Sequence, residues 1–485
     1  MIYFILRILE KLFIVYFVLY LLIDVGLFLY SFVVFRRRQK PASTDYKWDQ
    51  HPVSIIVPAY NEEVSIAYCA DMLLRLDYPD YELIVVNDGS SDDTLEKLLK
   101  KFPLDLQQVK NDTPTLNTSK IRNVYRHREL KLTVIDKFNG GKADSLNAGI
   151  NYATGRYVCT IDADSLLDNQ ALKSVVRPFI EDFRTMVSGG QLAASNDVIL
   201  QNNQVISSRM PKNIWVLWQI LEYIKSFMVS RMGLSKINAL LLMSGAFSMF
   251  RRDELLKIGG FLSEQNRHPY IKKHIGTGKQ TVCEDMEIVV RLFKYRYENN
   301  QKAKTRFIPG PVCWTEVPEK GKNLFKQRAR WHQGLIESLR IHRAMIFEPR
   351  YGATGLLGMP YYLIFEMMAP LMKVLAIIFI IIAGLMDMLN LQWVVLMLIG
   401  ILLLTAIITS GITAIVENWS LAQSETNRDA LRYKTYKDWL TLILTRILGE
   451  FTYSFYKVIA QLNGFVNVIG KKSEWKKFER KGIEQ

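Results

Sequence analysis

Two carboxylates separated by one small residue, Asp162-Ala-Asp164, follow the apolar run Tyr157–Ile161. That run reads as a short buried strand, and on extended chain residues i and i+2 point to the same side. Carboxylates held so close repel each other unless a cation lies between them. A hard divalent ion, Mg²⁺ or Mn²⁺, favours oxygen ligands and also takes phosphate oxygens. Read this way, the strand end presents a metal to a diphosphate. A polar turn after a strand explains the same residues, so the rest of the chain must decide.

Three further groups carry chemistry. Gly140-Gly-Lys142 opens a predicted helix, where glycines permit close backbone approach and a lysine beside free N–H groups suits phosphate. No GxxxxGK[ST] occurs in the chain, so this is not a Walker A loop. Glu284 and Asp285 start an amphipathic helix; they read either as favourable charges at a helix N-terminus or as a general base at a cleft mouth. Gln327, Arg330 and Trp331 share one face of a second amphipathic helix, expected over about 322–346. A guanidinium for phosphate and an indole for a sugar ring are compatible neighbours; a surface arginine beside a core tryptophan is the plainer alternative.

The elements that must position these groups alternate. Val53–Val57 and Tyr81–Val86 are apolar strands that end in Pro58-Ala-Tyr-Asn-Glu62 and Asn87-Asp-Gly-Ser90, with helices expected at about 65–76 and up to about 102. A third strand is expected at Lys131–Ile135. Strand, helix, strand, with polar residues at strand ends, predicts an α/β fold around a mostly parallel sheet, whose ligands sit outside the carboxyl ends of the strands. Leu240–Phe247 reads as a strand running into a small-residue turn. Pro211–Met232 carries aromatics at helical spacing beside Lys212, Lys225 and Arg231. That favours a helix under a membrane surface over a core helix.

The ends are apolar. Leu12–Phe35 carries one charge, Asp24, and is long enough to cross a bilayer core of about 30 Å. The basic Arg36–Lys40 after it places the next domain in the cytosol. Further crossings are expected at about 361–384 and 391–416. The stretch 438–469 is apolar but holds Arg446, Glu450 and Lys457; it reads as a half-spanning or hairpin element, and Arg446 and Glu450 lie one turn apart. The resulting division is a membrane anchor (1–40), a cytosolic catalytic domain (41–320), an interface helix (321–358), C-terminal membrane or interface helices (359–470) and a basic tail (471–485). The formal charge of +15 is explained by basic clusters beside apolar segments, not by nucleic acid. Four widely spaced cysteines without a CxxC suit a reducing cytosol and no zinc.

Together these motifs resemble family-2 inverting glycosyltransferases with a GT-A domain. They resemble in particular the membrane-embedded branch that contains the cellulose, hyaluronan, chitooligosaccharide and poly-N-acetylglucosamine synthases. The resemblance runs from Val53 to Trp331 through Pro58–Glu62, Asn87–Ser90, Gly141-Lys-Ala-Asp144, Asp162-Ala-Asp164, Ser244-Gly-Ala-Phe247, Glu284-Asp285 and Gln327-Arg-Ala-Arg-Trp331. It implies a GT-A fold, a UDP-sugar donor, and a growing glycan or lipid acceptor at the plasma membrane, with a homodimer or accessory export proteins as further partners. It implies that Tyr60, Glu62 and Asp88 hold the uridine and ribose. Lys142 meets the diphosphate, Asp144 the donor, and Asp162 and Asp164 the Mg²⁺ or Mn²⁺. Asp285, with Glu284 beside it, is the base. Gln327, Arg330 and Trp331 bracket the diphosphate and stack the acceptor, and Ser244 and Gly245 line the acceptor site. The FxVTxK motif of cellulose synthases is absent. Gln-x-x-Arg-Trp also occurs in relatives that transfer one sugar to a lipid, so polymerisation and single transfer both stay open.

Overall fold

The computed structural model describes residues 2–37, 46–108, 115–201, 203–390 and 434–470, with short helical pieces between 392 and 406. Its centre is a ten-stranded sheet. The strands, in chain order, are β1 (Val53–Ala59), β2 (Tyr81–Asn87), β3 (Leu104–Gln107), β4 (Ile121–His127), β5 (Leu132–Lys137), β6 (Tyr157–Ile161) and β7 (Ser165–Leu167). They continue with β8 (Thr185–Ala194), a separate hairpin of β9 (Val198–Gln201) and β10 (Gln204–Ser208), β11 (Phe247–Arg251) and β12 (Lys304–Thr315). The sheet order is β3-β4-β5-β2-β1-β6-β11-β8-β12-β7. Its core, β5-β2-β1-β6, is parallel, with Val53 level with both Tyr81 and Tyr157. β11 then runs antiparallel between β6 and β8. The α/β class and the parallel core match the expectation, and β6 has the bounds read from sequence. The carboxyl ends of β1, β2, β5 and β6 therefore open on one edge, as parallel connections require.

The core strands are buried on both faces: Ile55, Ile56, Val57, Val85, Val134 and Ile161 have no exposed surface. Such strands read as unbroken apolar runs, which is why they were legible. β3, β4, β7, β8, β12 and the β9–β10 hairpin were not expected. β3, β4 and the hairpin lie at the margins, where polar residues alternate without a strong apolar signal, and the apolar run of buried β8 is broken by Ser188, Gly189, Gly190 and Gln191. One expectation is corrected. Leu240–Met243 is buried chain without ladder partners, and the strand begins after the small-residue turn, at Phe247.

The stretch 211–232 also differs from its reading. It forms helix Ile214–Glu222, a wider π-type turn over Tyr223–Ser230, and helix Arg231–Lys236. Its aromatic side is covered by protein: Trp218 stacks on Tyr453 with centroids 5.4 Å apart, and Trp215 lies 4.9 Å from Tyr456. Lys225 pairs at 2.9 Å with Asp24, the charge inside the N-terminal apolar helix. That helix, Ile2–Arg37, contains the one described helix, Tyr3–Ser31, long and apolar enough to cross a bilayer by itself. Thr354–Met367 and Ala369–Leu385 meet that criterion only together, with a 45° bend between them. Pro370, which lacks an N–H, stands just after the bend and accounts for it. The stretch 438–469 resolves into two helices, Tyr436–Phe451 and Tyr453–Ile469, with Arg446 and Glu450 paired as expected. The crossing read at 391–416 falls largely outside the described residues, as do most of 417–437 and all of the tail.

Helix Glu284–Glu298 is anchored by a buried triad. Arg291 pairs bidentately with Glu287 at 2.8 and 2.9 Å, and His342 Nε2 lies 2.9 Å from the same carboxylate. Both Glu287 and Arg291 have no exposed surface. Burial alone would raise the Glu287 carboxyl, but Arg291 and His342 hold it down at about 2. Its stabilising share is therefore complete above the ordinary glutamate range and lost only as pH falls toward 2. Arg291→Met strands this carboxylate and is expected to cost about 3–5 kcal/mol. Thermal unfolding in detergent measures this, and an unshifted midpoint would contradict it.

Candidate active site

The loops after β1, β2 and β5 are built as one unit. Asn61 takes a left-handed conformation, φ 54°, that turns the chain after β1. Its side chain accepts from the Ser91 N–H at 2.8 Å, and its own N–H donates to Ser90 Oγ at 3.0 Å. Gly89, at φ 69°, has no room for a side chain, because a Cβ there would stand 2.8 Å from the Asn139 nitrogen. Asp88 joins the next loop: it accepts from the N–H groups of Gly140 at 3.0 Å and Gly141 at 2.8 Å, and from Lys137 Nζ at 2.5 Å. Lys137 also holds Asp144 at 2.7 Å, and Asp144 accepts from the Ser119 N–H. Burial pushes the Asp88 carboxyl up, with the Lys137 ammonium opposing.

Asp144 has no exposed surface and Asp88 only 3%. Both brace the loop from behind, whereas Tyr60 and Glu62 are more open. Lys137, wholly buried between two aspartates, is the organising residue that the sequence reading missed. Its one signal was a lysine ending an apolar strand.

The reactive groups meet in front of this frame. Lys142 begins its helix after Gly141, which takes φ 87°. Its ammonium lies 2.6 Å from Asp162 Oδ1 and 3.0 Å from Glu284 Oε1. Gly245, in the turn before β11, donates its N–H to Asp285 Oδ2 at 2.9 Å, while the Met286 N–H meets Oδ1 at 2.9 Å. A Cβ on Gly245 would fall 2.8 Å from Lys142 Nζ, 3.4 Å from Glu284 and 3.5 Å from Asp285. A turn, a helix start, a strand end and a second helix start thus converge on one point.

The charges shape one another. Burial pushes the Asp285 carboxyl up to about 6, aided by Glu284 and opposed by Lys142, the Gly245 N–H and Arg231. Burial would lower the Lys142 ammonium, but Asp162, Glu284 and Asp285 hold it well above its ordinary value. Asp164, 4% exposed, lies beside Ser65, Tyr68 and Cys69 in a small cavity. The Cys69 thiol is pushed up by burial and by the charges of Asp164, Glu62 and Asp162. Among the described residues no three His, Cys, Asp or Glu side chains gather into a metal cage. Asp162 and Asp164 still fit a hard divalent ion that takes its other oxygens from a diphosphate and water. The cation already drawn to Asp162, an ammonium, shows that the spot demands positive charge.

Helix Gly321–Ile341 closes the site. Glu337 accepts from Thr281 Oγ1 and the Val282 N–H, both at 3.0 Å, and so holds the loop leading to Glu284. Gln327 accepts from Arg328 at 2.5 Å, and Trp331 lies under the Arg328 guanidinium. Arg330 is half-buried, with its carbonyl 3.8 Å from Cys283 Sγ. Ser244 accepts from the Ala246 N–H at 3.3 Å and shapes the turn that offers Gly245.

The glycosyl transferase family 2 model matches residues 54–258, and the glycosyl transferase family group 2 model matches residues 157–408, more than half of the chain. The chain belongs to the family-2 glycosyltransferases. A poly-β-1,6-N-acetyl-D-glucosamine synthase of Staphylococcus epidermidis is 27% identical to this glycosyltransferase over 289 residues, 59% of its chain and 55% of the relative. The synthase of the same description from Staphylococcus aureus (strain COL) is 25% identical over 287 residues, again 59% and 55%. The match thus takes in about half the length of these relatives. Among solved structures, a mannosyltransferase from Pyrobaculum calidifontis, in complex with GDP-Man and Mn²⁺, superposes with a TM-score of 0.52 at 18% identity. It covers 96% of this chain and all of its own, and so shows the same fold.

Gly334 faces Cys283 so closely that a Cβ would stand 2.3 Å from both its Cβ and its Sγ. Gly334→Ala must therefore push the helix off the loop carrying Glu284 and Asp285. The expected cost is about 1–3 kcal/mol, seen as a lowered unfolding midpoint; an unchanged midpoint would show that the contact yields freely.

Proposed function

We propose that this glycosyltransferase transfers a sugar from a UDP-sugar, with inversion, onto a growing β-linked glycan at the membrane. We propose further that it builds and exports a polymer of the poly-N-acetylglucosamine kind. The observation that carries the reading is the convergence of Lys142, Asp162, Glu284, Asp285 and the Gly245 N–H. It sets a phosphate-seeking cation beside a carboxylate whose proton affinity suits a base near neutrality. The poly-β-1,6-N-acetyl-D-glucosamine synthases among the relatives support the choice of product. A catalytic domain in the cytosol, membrane crossings at both ends and partner export proteins complete the proposal. The long N-terminal apolar helix and its basic flank support it.

The acceptor hydroxyl gives its proton to Asp285, its oxygen bonds to the anomeric carbon, and the bond from that carbon to the diphosphate oxygen breaks on the opposite face. The electron pair leaves with the nucleoside diphosphate. Lys142 and Arg330 neutralise the departing charge. A divalent ion, Mg²⁺ or Mn²⁺, held by Asp162 and Asp164, would supply further Lewis acidity when bound. The Gly245 N–H fixes the Asp285 carboxylate, Tyr60 and Glu62 edge the nucleotide, and Trp331 offers its indole to the acceptor ring.

A screen of radiolabelled UDP-sugars on membranes containing the protein, with product sizing, tests the reading. A high polymer or ladder supports it, a single glycolipid replaces it with lipid glycosylation, and inert protein removes it. Asp285→Asn is expected to lower transfer by about 10²-fold or more while UDP binding survives; retained turnover would exclude Asp285 as base. With Asp285 titrating near 6, transfer should rise about tenfold per pH unit below that value and level off above it, since only the ionised form accepts a proton. A flat profile between pH 5 and 7 contradicts this assignment. Asp164→Ala is expected to weaken metal-dependent UDP binding roughly tenfold or more in titration calorimetry, and equal affinity would remove Asp164 from the metal.

A further inference from the structure

Three helices meet at one buried acid. Glu222 ends helix Ile214–Glu222, and its Oε2 accepts from Arg328 Nη2 at 2.6 Å and from the Tyr453 hydroxyl at 2.6 Å. Its Oε1 lies 3.1 Å from Lys457 Nζ. Arg328, 3% exposed, comes from helix Gly321–Ile341, whereas Tyr453 and Lys457 come from helix Tyr453–Ile469. The two helices are in tight register here: a Cβ on Gly464 would stand 2.7 Å from the Ala329 carbonyl oxygen.

The guanidinium that Glu222 holds has further partners, Tyr223 among them with its ring centroid 6.0 Å away. Its carbon stands 4.2 Å from the centroid of the Trp331 indole, and Nη1 donates to the Gln327 side-chain oxygen at 2.5 Å. One flat cation therefore fixes a side chain before it and one after it in the same helix. A guanidinium that donates two N–H groups to one carboxylate oxygen and also keeps an aromatic face has little freedom to turn. Resting on the reading of Trp331 as the acceptor platform, we propose that Glu222 and Arg328 are positioning residues for acceptor binding. They hold the Trp331 indole in place and make helix Tyr453–Ile469 part of the sugar-binding unit. Neither touches the reacting atoms.

Arg328→Lys separates positioning from simple stabilisation, because it keeps a charge opposite Glu222 and loses the flat face over Trp331. Kinetics are taken per folded protein after size exclusion in detergent, with a β-linked N-acetylglucosamine oligomer as acceptor probe. The acceptor KM is expected to rise about three- to thirty-fold while kcat changes less than about twofold. The effect should not add to that of Trp331→Phe, since both remove one contact. Tyr453→Phe should move KM the same way by a smaller factor, and Glu222→Gln by a larger one. The fluorescence difference between wild type and Trp331→Phe reports the indole directly, and it should shift in the Arg328→Lys background. Additive losses, a fall in kcat at constant KM, or an unshifted difference spectrum would each overturn the proposal. Should the wild type transfer no sugar, the proposed function fails, and the difference spectrum still decides whether Arg328 sets Trp331.

Discussion

Everything in the cleft depends on an ammonium placed among carboxylates. Asp162, Glu284 and Asp285 come from two distant parts of the chain, and without Lys142 they would repel across a half-buried space. With it, Asp162 and Glu284 lie 2.6 and 3.0 Å from one ammonium, and Asp285 is left with a proton affinity raised mainly by burial. The same lysine is thus structural glue for the loops and a charge available to a phosphate. That double use makes Gly245 a tight point: a Cβ there would stand 2.8 Å from the ammonium, which would have to shift.

The fold brings these groups together through one change of strand direction. β6 lies between parallel β1 and antiparallel β11, so the carboxyl end of β6 and the turn entering β11 face each other at one edge. Asp162 and Asp164 leave β6 there, and Gly245 enters β11 there. Behind them, Lys137 neutralises Asp88 and Asp144 at the end of β5, a second buried cation doing for the loops what Lys142 does for the cleft. The two lysines lie five residues apart on either side of Gly140 and Gly141, whose amides complete the bracing of Asp88.

What the sequence made legible follows from which forces are local. Core strands announce themselves because burial on both faces demands unbroken apolar runs, and β6 was read to the residue. Leu240–Met243 shows the limit of that rule: it is as apolar and as buried, but hydrogen-bond partners, not hydrophobicity, make a strand. Asp162, Glu284 and Asp285 were found by motif, and the structure gathers them around one lysine. Asp88 and Asp144 were found by the same route, and their bracing of the loop through Lys137 was not legible, because a motif fixes position in the chain and not the partners of a carboxylate. Arg328 stood inside the motif Gln327–Trp331 and passed unnoticed, since its partner Glu222 lies more than a hundred residues earlier and no spacing rule links them. The 211–232 stretch was apolar on most sides for a related reason. Sheet, C-terminal helices and N-terminal helix each cover part of it.

That stretch also explains how a sheet domain can be fixed against apolar helices that offer little for a polar surface to grip. Apolar contact alone is non-directional and permits sliding. Two ionic contacts remove that freedom at opposite ends of a short span: Glu222 with Arg328 and Lys457, and, three residues on, Lys225 with Asp24. A charge placed within an apolar helix is costly unless it is paired, so Asp24 favours the one docking arrangement in which Lys225 reaches it. The cost of that aspartate becomes a specification of orientation, and the cleft inherits a fixed placement relative to the N-terminal apolar helix because both contacts share one helical segment.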